Sequence, residues 1–208
     1  HGHVQTIEFL LGLVNAAGER RVDVNVQNHA NNDLTPLHYA AANGHVGAIN
    51  ALLAGGANIE ARAEHQETPL HWAAGNGQVE AINALLAGGA NIEVHAAARR
   101  TPLHWAAGNG QVEAINALLA QGAVIEARED TYYHETPLHW AARNGHVGAI
   151  AALLAGGAVI DARNIHQETP LYCAAANGHV GAIDALLARG AVIDARSVNQ
   201  ETPLHWAA

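Results

Sequence analysis

The sequence predicts an all-α solenoid of stacked helix-turn-helix units, on the strength of a motif at a near-constant step, two short amphipathic segments per step, and turn residues at fixed offsets. Thr-Pro-Leu recurs at Thr35, Thr68, Thr101, Thr136, Thr169 and Thr202, so the steps are 33, 33, 35, 33 and 33 residues. His or Tyr follows, then Ala-Ala. About ten residues on comes Ala-Ile-x-Ala-Leu-Leu, then Gly-Ala and a short Ile-Glu or Ile-Asp piece.

Each element has a local cause. In the unit at Thr68, the threonine suits a helix N-cap because its hydroxyl can accept an orphan N–H, and Pro69 at the first helical position loses no bond. Asn76-Gly77 is expected to stop that helix, both residues tolerating a left-handed turn. Val79, Ile82, Leu85 and Leu86 then share one face of a second helix, which Gly88-Gly89 ends. Ala90-Asn91-Ile92-Glu93 leads into a polar hairpin tip. Neither helix is long enough to be stable alone, so each unit must bury its apolar face against its neighbours.

Composition excludes several function classes. The apolar runs fall well short of the roughly 20 residues a membrane span needs, and His1-Gly2-His3-Val4 is no signal peptide. The single Cys173 cannot form an internal disulfide, and no Cys/His spacing suits structural zinc. A net charge of −9 opposes a phosphate backbone, which argues against nucleic acid. All 10 basic residues are Arg. GC-rich codon usage explains that bias together with the Ala excess; the alternative is selection against lysine in a protein acting inside a foreign cell. The expected location is accordingly cytoplasmic, or that of a secreted effector in a host cell.

The repeated Thr-Pro-Leu-His-x-Ala-Ala, Gly-His and Leu-Leu-x-x-Gly-Ala closely resemble the ankyrin repeat, over nearly the whole chain and six times. The resemblance implies an ankyrin-repeat α-solenoid whose L-shaped units project β-hairpin loops at right angles. It also implies a protein-binding scaffold, not an enzyme, with no cofactor. The histidines of Thr-Pro-Leu-His are implied to hydrogen-bond at the helix start.

One domain, 1–208, is expected to contain a partial unit 1–25, full units 26–60, 61–93, 94–126, 127–161 and 162–194, and a partial unit 195–208. The tip before Thr136 is two residues longer than the others, and the Thr169 unit reads Tyr172-Cys173 where others carry His and an aromatic. Both ends stop inside a unit. The chain is therefore expected to be a piece of a longer array, or else a monomer able to stack head to tail.

On a helical wheel Trp72 points off the core, so Tyr39, Trp72, Trp105, Trp140 and Trp206 form a column, interrupted by Cys173, expected to line a concave groove. Exposed aromatics make interface hot spots, although adjacent rings about 10 Å apart can also pack on one another. The variable tips supply the other expected contacts: Arg62 and His65, Arg99 and Arg100, Tyr132, Tyr133 and His134, and His166. Tyr132 and Tyr133 with Arg99 and Arg100 are the richest cluster and the expected anchor. Acid-Ala-Arg at Glu60/Arg62, Glu126/Arg128, Asp161/Arg163 and Asp194/Arg196 puts each pair on one face of an extended segment, where a ladder across tips is expected.

Catalysis finds no support. Equivalent histidines of neighbouring units stand about 10 Å apart, whereas zinc needs ligands about 2 Å from one centre. No phosphate loop, His-Glu-x-x-His or Gly-x-Ser-x-Gly is present, and the residues flanking Cys173 supply no base. The expected partner is a protein or peptide. The rival readings are a substrate-docking segment of a larger enzyme or channel, and a self-stacking structural repeat.

Overall fold

The structure is a computed structural model that describes residues 2–13, 18, 21–130 and 133–207. Helix α1 (Val4–Leu11) is followed by the pairs α2 (Pro36–Ala42) and α3 (Val46–Ala54), α4 (Pro69–Gly75) and α5 (Val79–Ala87), and α6 (Pro102–Gly108) and α7 (Val112–Ala120). The series continues with α8 (Pro137–Arg143) and α9 (Val147–Ala155), α10 (Pro170–Ala176) and α11 (Val180–Leu187), and ends with α12 (Pro203–Trp206). Successive first helices pack on one another more closely than successive second helices do, so the face they form is the tighter, inner side of the stack. Among the described residues no helix is long and apolar enough to cross a membrane.

Five of the six first helices open the same way, the exception being the one at Thr169. Thr68 has extended backbone and Pro69 occupies the first turn. His71 completes the cap: its Nδ1 accepts from the Thr68 backbone N–H at 3.2 Å and meets Thr68 Oγ1 at 3.0 Å. A histidine here does the work that Glu or Gln does in an ordinary capping box. At the far end, Gly77 takes the left-handed conformation with φ of 72°, while Asn76 does not; its φ is −99°. Asn76 acts through its side chain, whose Nδ2 donates to the Trp72 carbonyl at 2.8 Å.

The core runs the length of the stack. Leu70, Leu103 and Leu138 from first helices and Ile82, Ile115 and Ile150 from second helices are fully buried within one continuous cluster. Burial depends on having a neighbour on both sides. Leu171 of α10 is 1% exposed, whereas Leu204, the same motif residue in α12, is 78% exposed. Removing a leucine of this kind from water is worth roughly 2 kcal/mol, so most of the stabilisation lies at the junctions between units.

The tips depart from expectation. Among the described residues no strand forms, and a single antiparallel bridge links Asn28 to Leu34. Each later tip is a tight turn through left-handed residues such as Gln66, Arg99, His134, Gln167 and Gln200. Neighbouring tips are joined by one backbone bond apiece: Glu64 to Asn32, Ala97 to His65, Asp130 to Ala98, Ile165 to Tyr133, and Val198 to His166.

The acid-Ala-Arg pairs also differ from expectation, because the acid and the arginine of one unit do not bond to each other. In three of the four pairs, both reach to the next unit's backbone, while Arg196 donates within its own tip to Gln200. Glu60 accepts from the Asn91 N–H at 2.7 Å, Glu93 from Val124 at 2.9 Å, Glu126 from Val159 at 2.9 Å, and Asp161 from Val192 at 3.0 Å. Asn25 fills the same role towards Asn58 at 2.7 Å. Arg128 donates to the Arg163 carbonyl and Arg163 to the Arg196 carbonyl, both at 2.9 Å, and Arg62 donates to His95.

Candidate partner-binding surface

The inner face is built around a row of buried histidines. With Nδ1 accepting from a backbone N–H, the proton of each neutral ring must sit on Nε2. That nitrogen donates to a carbonyl of the next unit: His38 to Glu67 at 3.1 Å, His71 to Arg100 at 2.9 Å, His104 to Glu135 at 3.2 Å, and His139 to Glu168 at 3.2 Å. Burial lowers His38 and pushes His71, His104 and His139 down to about 4. These rings are structural clamps, neutral at physiological pH, and are no metal ligands in this arrangement.

Above them lie the aromatics. Tyr39, Trp72, Trp105 and Trp140 are half-buried. Trp72 and Trp105 are tilted neighbours with centroids 6.2 Å apart, and Trp105 and Trp140 meet His71 and His104 edge to face at 5.9 and 6.3 Å. Glycine makes room for two of them. A Cβ on Gly75 would lie 3.1 Å from Trp105 Cε3, and one on Gly108 would lie 2.8 Å from Trp140 Cε3.

The column changes at Cys173. Arg143 stands where Gly75 and Gly108 stand in earlier units, and the small cysteine in place of tryptophan leaves it space. Its guanidinium pairs with the buried Glu135, lies 3.7 Å from Cys173 Sγ, and is 5.6 Å from the Tyr133 ring. The Cys173 thiol is buried beside Glu135, and burial followed by that carboxylate raises it far above the usual thiol range. It is protonated and no nucleophile. Glu135, Glu168 and Cys173 are the one grouping of the described residues with donor atoms within 4.8 Å of one another. Arg143 already supplies the positive charge there, so a metal ion would meet like charge.

The tip residues separate into two groups. Arg100 turns inward, its guanidinium 4.6 Å from the Trp140 centroid and its Nε donating to the buried Glu129 at 3.2 Å. Tyr133, 43% exposed, packs edge to face on His166 at 5.3 Å. Of the expected cluster, Arg100 thus sits with Trp140 and Glu129 and Tyr133 with His166, while Tyr132 lies outside the described residues. Arg62, His65 and Arg99 are exposed on their turns, and His134 is half-buried with its Nε2 3.8 Å from Asp130. Arg143, Glu129 and Glu135 were missed in the sequence. The signal was the coincidence of arginine for glycine at 143 with cysteine for tryptophan at 173.

The comparisons agree with this architecture. The family model described as Ankyrin repeats (3 copies) matches residues 1–96, 88–164 and 152–208. The crystal structure of the human ASB11 ankyrin repeat domain is similar at a TM-score of 0.82 and 29% identity, covering 100% of this chain and 88% of that one. No curated protein sequence matches the chain. Ankyrin repeats are generally protein–protein interaction modules, and the fold is a typical non-catalytic scaffold. With matches spanning it from end to end, the chain belongs to the ankyrin repeat family.

Proposed function

We propose that the chain holds a partner protein or peptide along its inner face, between the half-buried ring column and the linked tips. The observation that carries this reading is the column itself. Trp72 and Trp140 each have a buried indole N–H with no acceptor among the described residues, a cost of roughly 1–3 kcal/mol apiece in the free chain. Large rigid rings left imperfectly satisfied beside Arg100 and Tyr133 suit an interface better than a finished core. The tips are braced to one another by backbone bonds, so they present their side chains with little ordering left to lose on binding. Arg99, Arg62 and His65 on the outer turns, with Tyr133, His134 and His166, are the contacts that distinguish one partner from another.

The test is substitution of Trp72, Trp105, Trp140 and Tyr133 by alanine, singly, with partner recovery measured against thermal melting. The proposal expects recovery to fall at least about tenfold for one or more variants that still melt cooperatively. Undiminished recovery by folded variants of all four sites overturns it.

A further inference from the structure

We propose that the recess beside Trp206 receives an arginine side chain of the partner, an assignment that rests on the partner-binding reading above. The recess is a cavity of about 110 Å³, room for about three water-sized groups, walled by Glu168 and Glu201, the rings of Tyr172 and Trp206, and His166 and Ser197. The two rings are tilted neighbours at 5.9 Å. Each carboxylate is held through one oxygen: Asn164 Nδ2 donates to Glu168 Oε2 at 2.8 Å, and Trp206 Nε1 donates to Glu201 Oε2 at 3.1 Å. The second oxygen of each takes no bond among the described residues.

The chain shows twice what such a place holds. Beside Trp140, the repeat equivalent of Trp206, the guanidinium of Arg100 lies on the ring and bonds Glu129. One unit further on, Arg143 bonds Glu135 and faces the Tyr133 ring. No arginine lines the recess. The repeat equivalent of Arg100 is Glu168, and that of Arg143 is Ala176. Arg143 acts on Glu168 from the Glu135 side, whereas Glu201 pairs with no cation among the described residues.

The electrostatics agree. Burial first, then the nearby Glu168 and Glu201, pushes Tyr172 up to about 12, so the negative potential of both carboxylates converges on this ring. A planar guanidinium can stack on Trp206 while donating in plane to two carboxylates, a combination that lysine's compact ammonium matches less well.

The experiment titrates the ¹⁵N-labelled chain with the tripeptide acetyl-Gly-Arg-Gly-amide and follows the Trp206 indole N–H resonance, assigned from Trp206→Phe. Controls are the same peptide with citrulline, which keeps the shape without the charge, and with lysine. Saturable movement with arginine is expected, with the lysine peptide weaker and citrulline inert, and with affinity reduced about tenfold in Glu168→Gln/Glu201→Gln. An unmoved Trp206 resonance, or equal movement with citrulline, overturns the proposal. Should the double variant fail to fold, the arginine-to-citrulline contrast in the unaltered chain still decides. If arginine moves Trp206 while the ring-column variants keep full partner recovery, the groove reading fails and the recess stands; the opposite pair of results removes the recess alone.

Discussion

Four consecutive units, from His38 to His139, clamp a carbonyl of their neighbour with a buried histidine, while the unit at Thr169 uses Tyr172, whose ring packs on Trp206 with no bond to a next-unit carbonyl among the described residues. The histidine junctions satisfy the N-cap and a carbonyl of the next unit through one ring, at the cost of holding a titratable group neutral. The Tyr172 junction avoids that cost and leaves a recess. The same fold therefore spends one stretch on rigidity and leaves the other open for recognition.

Acid should break this contrast first. His71, His104 and His139 stand at about 4 in the folded chain against an ordinary 6.5. Between those values the unfolded chain binds more protons, so stability rises with pH across the window and is lost as pH falls from about 6.5 to 4. At pH 5 the loss is about 2 kcal/mol for each of the three, or about 6 kcal/mol together. Urea melts at pH 7 and pH 5 measure it, and hydrogen exchange should show the histidine stretch loosening more than the Tyr172 junction.

His104→Ala removes the ring that bonds Thr101 and Glu135 and strands two buried backbone groups. A loss of about 3 kcal/mol is expected in urea, against less than about 0.5 kcal/mol for Tyr172→Phe, whose backbone bond to Thr169 Oγ1 survives. Equal effects would erase the distinction between the two kinds of junction.

Arg143→Ala leaves Glu135 buried beside Cys173 without its cation. Breaking a fully buried pair costs about 3–5 kcal/mol, and partial exposure of Arg143 reduces the expected loss to about 2 kcal/mol. Raising the salt concentration should shrink the difference only slightly. Gly108→Ala tests the opposite solution at the preceding junction. Its Cβ forces the Trp140 ring aside, and after the helix-propensity gain the net loss is about 1 kcal/mol, read as a shift in the urea midpoint.

What was legible in the sequence is what each unit does within itself. Thr-Pro starts the helix, Asn-Gly stops it, and the apolar positions face inward, because these depend on residues a few places apart. The unread part is what crosses a junction. Acid and arginine two residues apart suggested mutual pairing, yet in three of the four pairs both find a backbone partner about one repeat away, since stacking brings the next unit's N–H and C=O nearer than the neighbouring charge. Arg100 was placed outward with Arg99, but a long side chain settles where the next unit supplies both a ring and a carboxylate. Glu135 and Arg143 meet only because α8 returns beside its own preceding tip. Periodicity identifies which residues recur and is silent on how far each one reaches.

These side-chain-to-backbone bonds, from Asn25 first and then from acids, repeat at every junction up to Val192 and always run from one unit to the one after it. As far as this bond goes, any interior unit therefore presents the same side-chain acceptor and backbone donor to whatever precedes or follows it. Duplicating a unit in frame, or deleting one, would create a seam chemically like the old ones, so arrays of this design can change length in evolution without inventing a new contact. Exchange of modules then alters the recognition surface while the joints stay the same.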